Sequence, residues 1–223
     1  MLDFDKTLEK LEDNLTQDIT WRTQELVNLQ NEIDTKFQID NQEVSFLVRG
    51  AIALIYAHWE GSIKTQLSAY VKFLNMLLKN EYIELKDYDN DMLDLLFTPI
   101  IQTLRQNTKE KRLKGIEQFK ALYFEQVILE IDSKEIINTK SNLSFEVLNS
   151  LLEKFQIEKL DSSNKVIIEK LLKNRNAIAH GEKRYTIITQ TIKDDIEYNI
   201  KKIDEFIKII KQKILLKAED YRN

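Results

Sequence analysis

The sequence predicts an all-α bundle of four main helices, and three observations carry that expectation. Apolar residues recur every third or fourth position over long stretches, which is the period of a helix with one buried face. The chain holds only 4 Gly and 1 Pro in 223 residues, too few for the tight turns of a β-sandwich, a β-barrel or a Gly-rich nucleotide fold. Charged residues make up 31% and apolar residues 43%, a balance suited to helices with solvated outer faces around a sizeable core.

The elements follow in order. From residue 3 to about 34, Phe4, Leu8, Leu11, Leu15, Ile19, Arg22, Leu26, Leu29 and Ile33 form one stripe. Arg22 is its single polar member. A loop is expected at Phe37–Asn41. A second long helix spans 42–79, and its stretch Ala51–Trp59 is apolar nearly all round and therefore expected to be the most buried. Gly50 and Gly61 lie inside it. Each costs about 1 kcal/mol against Ala, so each suggests a close helix–helix approach or a kink.

Residues 80–142 read as an insertion within a single domain spanning 1–223. An acidic connector (Glu81, Glu84, Asp87, Asp89, Asp91, Asp94) precedes a short helix over Leu93–Thr103, disturbed at Pro99. The Asp-x-Asp-x-Asp run lacks the Gly and closing Glu of a calcium loop and reads as solvated. The basic run from Arg105 to Lys114 reads as a solvated loop or, alternatively, an RNA guide. A helix over Ile116–Glu130 and a loop over Asp132–Ser144 complete the region. Phe145, Leu148, Leu151, Leu152 and Phe155 then make a short helix. Asp161, Ser162 or Ser163 caps the next, which runs from Asn164 to about His180 and stops at Gly181. A last long helix covers Ile187–Leu216.

Composition narrows the chemistry. Cys is absent and only two His occur, His58 and His180, so disulfide scaffolds, thiolate metal sites, Cys nucleophiles and His-rich metal centres are excluded. No metal and no cofactor is expected. The net charge of −4 announces no polyanion partner by itself. The opening MLDFDKTLEK is no signal peptide, and no apolar run reaches the roughly 20 residues of a membrane span. The expectation is a cytoplasmic protein.

The most informative stretch is Lys173–Tyr185, KNRNAIAHGEKRY. Here Arg175 and Asn176 stand at or beside the packed face of a helix in its last turns. Asn176 and His180 are i, i+4 neighbours. Arg175 and His180 are i, i+5, about 140° apart, and approach only where the helix ends. Between Lys165 and Arg184 six basic residues face two acidic ones, a local +4 in an acidic chain, which suits a polyanion. The same residues also read as an ordinary helix C-cap. His58, beside Trp59, reads as a packed or interfacial histidine. Glu60, a charge on a buried segment, must pair to be tolerated; Arg22, Arg49 and Arg175 are its candidate partners, and a direct supporting role at a site is the alternative.

The run Arg175-Asn176-Ala177-Ile178-Ala179-His180-Gly181 resembles the Arg-x(4–6)-His signature of the HEPN superfamily, including the polar residue that follows the Arg. The segment Ala51–Asn75 and the opening helix with Trp21, Arg22 and Glu25 are similar to a bacterial, defence-associated branch of it. The resemblance implies a HEPN-like α-helical bundle and a metal-independent endoribonuclease, acting as a toxin or antiviral effector. It implies Arg175, Asn176 and His180 as catalytic residues, with Lys173, Lys183 and Arg184 as RNA contacts and Glu60 in support. It also implies a homodimer that brings two motifs together, RNA as substrate, and an antitoxin or other defence-system protein as partner. One toxin branch carries a modifiable Tyr two residues after the His. Here that position is Glu182, and Tyr185 is at a different spacing, so that regulation does not carry over. The alternative reading is a non-catalytic HEPN module binding RNA, nucleotide or a partner protein.

Overall fold

The computed structural model describes residues 2–37, 41–80, 90–124, 130–140, 142–182, 185 and 189–222. Its helices are α1 (Phe4–Phe37), α2 (Asn41–Lys79), α3 (Asn90–Leu104), α4 (Lys109–Phe124), α5 (Ser133–Ile136), α6 (Phe145–Lys154), α7 (Lys165–Ala179) and α8 (Gln190–Glu219). Among the described residues there is no strand, and no helix is long and apolar enough to cross a membrane. The fold is the expected all-α bundle.

Helices α1, α2 and α8 pack mutually, and α7 lies against α2. The stripes read from the sequence are the ones that meet. Leu15, Leu26 and Ile33 of α1, Trp59, Ile63, Leu67 and Leu74 of α2, and Ile203, Phe206, Ile210 and Ile214 of α8 are buried. Trp59 meets Phe206 edge-on, with ring centroids 6.2 Å apart. Each such side chain contributes roughly 1.5–3 kcal/mol relative to exposure.

Several local expectations are corrected. Helix α3 continues through Pro99 without a break. The basic run is not a loop throughout: α4 begins at Lys109, inside it. Gly115 is buried where α4 meets α3, and a Cβ there would stand 3.1 Å from the Leu104 amide nitrogen, so close helix packing explains this glycine. Between Asp132 and Ser144 the chain makes the short α5, capped by Asp132. Ala51–Trp59 is not buried all round, because Ala53 and Ala57 face outward. A Cβ at Gly50 would meet nothing within 4 Å, so this glycine serves no close approach. Gly61 does: a Cβ there would come within 3.1 Å of the Arg22 guanidinium. The acidic residues Glu81, Glu84, Asp87 and Asp89, and the basic pair Lys183 and Arg184, lie outside the described residues.

The segment between α4 and α6 is bound to α2 at three points. Asn75 brackets Ile131, donating to its carbonyl (3.0 Å) and accepting from its N–H (2.8 Å). The Thr139 hydroxyl donates to Glu60 Oε1 at 2.5 Å. The Leu143 N–H donates to the Tyr56 hydroxyl at 2.6 Å. A second carboxylate, Glu169 of α7, accepts from the Phe145 N–H at 2.9 Å, fixing α6 against α7. All but the Thr139–Glu60 bond satisfy backbone groups that no helix ladder would reach.

Candidate functional site

The end of α7 is shaped by its cap. The Glu182 N–H donates to the Ala177 carbonyl (2.9 Å) and the Gly181 N–H to the Ile178 carbonyl (3.0 Å). That is a Schellman closure, and it requires the left-handed backbone that Gly181 adopts at φ +80°. His180 is the C-cap residue and its side chain is exposed. The capping role of this stretch therefore accounts for Gly181 in full. It leaves the His180 imidazole at the surface, five residues from Arg175.

Arg175 turns back onto α2. Its guanidinium carbon lies 3.9 Å from the Tyr56 ring centroid. One terminal nitrogen is 3.3 Å from Asn142 Oδ1 and 4.0 Å from Glu60 Oε2. The side chain keeps 21% of its surface exposed, so it is held without being sealed off. Stacking on Tyr56 is worth roughly 0.5–2 kcal/mol and fixes the plane of the guanidinium fork. Burial pushes the Tyr56 phenol above its usual range, and the Leu143 N–H and Arg175 moderate the rise.

Glu60 is the hub of this cluster. Its Oε1 accepts from Lys64 Nζ at 2.8 Å and from Thr139, and its Oε2 faces Arg175. Burial opposes ionisation, but the hydrogen bonds from Lys64 and Thr139 prevail and hold the carboxyl below its ordinary value. Of its three candidate arginines, Arg175 is the one Glu60 faces. Arg22 is taken instead by Asp18, at 2.9 Å.

Of the sequence-derived candidates, Asn176 is half-buried on α7 and Lys173 is exposed. Tyr56, Lys64, Thr139 and Asn142 join the site only in the structure. Tyr56, Glu60 and Lys64 stand four apart on α2, so helix spacing could have linked them to one face. No local signal marks Thr139 or Asn142. Among the described residues, no three His, Asp or Glu side chains gather as a metal-binding group.

His58 lies on another side of α2. It is buried, with Nε2 2.9 Å from Glu25 Oε2 and Nδ1 3.5 Å from an Arg22 nitrogen. Burial, helped by Arg22 and opposed by Glu25, depresses its pKa below 6.5.

A family model described as RiboL-PSP-HEPN matches residues 17–216. No curated protein and no solved structure matches the chain.

Proposed function

From the premise that this chain belongs to the RiboL-PSP-HEPN family, we propose that it is an endoribonuclease whose chemistry uses Arg175, Asn176 and His180 and needs no metal. The observation that carries the reading is the contrast within one helix end. The guanidinium is held by Tyr56, Asn142 and Glu60 with 21% of the side chain exposed, while the imidazole five residues on, at the helix end, is exposed.

In the reaction so assigned, the His180 imidazole accepts the proton of an RNA 2′-hydroxyl. The 2′ oxygen attacks the adjacent phosphorus and the bond from phosphorus to the 5′ oxygen breaks. Arg175 donates to the phosphoryl oxygens as negative charge builds on them. A second imidazole, supplied by another copy of the chain, protonates the departing 5′ oxygen. The products are a 2′,3′-cyclic phosphate and a 5′-hydroxyl. Asn176 orients the groups around it, and Glu60 acts through Arg175 as a positioning residue. A toxin or antiviral role, with a neutralising or sensing partner protein, follows from the family branch that the sequence resembles.

The test is cleavage of total RNA in excess chelator. Replacing His180 or Arg175 by Ala should slow it at least about 100-fold, the scale of lost acid–base or electrostatic assistance. Equal rates in parent and variants would end the assignment. One observation favours the non-catalytic alternative: Glu60 already faces Arg175 and compensates part of its charge. That reading expects RNA retention by the parent, weakened by Arg175→Ala, with no His180-dependent products.

A further inference from the structure

A groove of about 550 Å³ runs between α1 and α2, walled by Asn14, Gln17 and Trp21 on one side and Lys64, Ser68 and Lys72 on the other. Its size is that of a small-ligand site, roughly 300–1,000 Å³. Its lining is a mixture that an apolar helix would not fit: one indole, side-chain amides, hydroxyls and two ammonium groups.

Trp21 is 48% exposed, whereas the other tryptophan, Trp59, is fully buried. The ring packs against the His58 imidazole, with centroids 5.3 Å apart, and leaves about half its surface to the groove and solvent. The ring is also held in place, with the Arg22 guanidinium 4.5 Å from its centroid. Arg22 in turn is fixed by Asp18, which also accepts from Ser62 at 3.0 Å. Asp18 at the groove is therefore compensated by Arg22, as Lys64 is in part by Glu60, and the charge the groove offers a ligand is chiefly that of Lys72. Lys64 and Lys72 are eight residues apart on one helix, about 12 Å along its axis, so they reach different phosphates. Lys64, at the edge of the groove, bonds Glu60, the carboxylate that faces Arg175.

We propose that this groove binds single-stranded RNA next to the cleaved segment, with Trp21 stacking on a base and Lys64 and then Lys72 contacting the backbone at successive points along the groove. Stacking on an aromatic is tolerant of sequence, so the groove extends the footprint without selecting one base. This rests on the ribonuclease reading for its connection to cleavage, but binding itself is measured separately.

The experiment titrates His180→Ala protein, which keeps the groove intact, with a twelve-residue oligoadenylate and follows tryptophan emission. A change seen in this protein and lost when Trp21→Phe is added reports Trp21. Saturable quenching is expected. Trp21→Ala should weaken binding, read by anisotropy of labelled RNA, at least about fivefold, while Trp21→Phe retains most of it. Lys72→Ala should reduce the salt dependence of log K by about one unit of slope. RNA that binds by anisotropy but leaves emission and the Lys72→Ala affinity unchanged would overturn the proposal. So would normal cleavage at unchanged KM by Trp21→Ala and Lys72→Ala enzyme, with the ribonuclease reading left standing. Quenching by RNA in a protein that cuts nothing would remove the ribonuclease reading and keep the groove.

Discussion

Arg175 and His180 share one helix end yet meet different surroundings, because the Schellman closure at Gly181 ends α7 just where the imidazole projects. The arginine depends on its neighbours on α2. Tyr56 supports the guanidinium with its ring and the segment leading into α6 with its hydroxyl, so the two roles can be separated. Tyr56→Phe keeps the ring and strands the buried Leu143 N–H. It should cost about 1–3 kcal/mol in urea unfolding while leaving the stacking surface in place. His58 offers a second residue-level check. Its folded pKa lies below 6.5, chiefly through burial, so the unfolded chain takes up the proton first on acidification. That contribution to stability is fully present above about pH 6.5 and is lost as pH falls toward the depressed folded value. The midpoint of thermal unfolding should therefore drop between pH 7 and about pH 5.5, with a shallower slope in His58→Gln. Equal slopes would show that His58 does not govern this pH dependence.

Helix α2 carries the site, the core and the groove on different faces, and its two glycines test that division. At Gly50 a methyl group meets open space, and alanine should stabilise the exposed helix by about 0.5–1 kcal/mol. At Gly61 the same methyl would press on the Arg22 guanidinium at 3.1 Å. Arg22 is buried and bonded to Asp18, so it yields only by straining that pair. Gly61→Ala should therefore melt below the parent, and Gly50→Ala above it, in a direct comparison of unfolding midpoints. Helix α7 owes its position to both of its ends: a 3-10 turn with Asp161 as its cap before it, and Gly181 after it.

At the scale of the whole molecule, one chain presents one exposed imidazole at the proposed site, His58 being buried in the α1/α2 network. General base and general acid then call for two copies. Light scattering at micromolar concentration should give twice the 26.4 kDa of the chain, and dilution to monomer should abolish cleavage while RNA binding persists. A fully active 26.4 kDa species would remove the two-imidazole reaction.

Apolar periodicity by itself determined that the chain is helical, where its long helices run, and which stripes form the core, because burial of one face imposes a period that any window of the sequence displays. The Arg175-to-His180 spacing and the stop at Gly181 were legible for the same local reason: caps and i, i+4 relations involve residues close in the chain. Glu60 was legible as a candidate partner of Arg175; the rest of what holds the guanidinium was not. Thr139 and Asn142 come from a segment that reads as loop. Thr139 bonds Glu60, 79 residues away, and Asn142 bonds Arg175, 33 residues onward. The groove likewise exists only once α1 lies against α2. Hydrogen bonds and cavities between distant segments leave no periodic trace, so only the tertiary structure decided them.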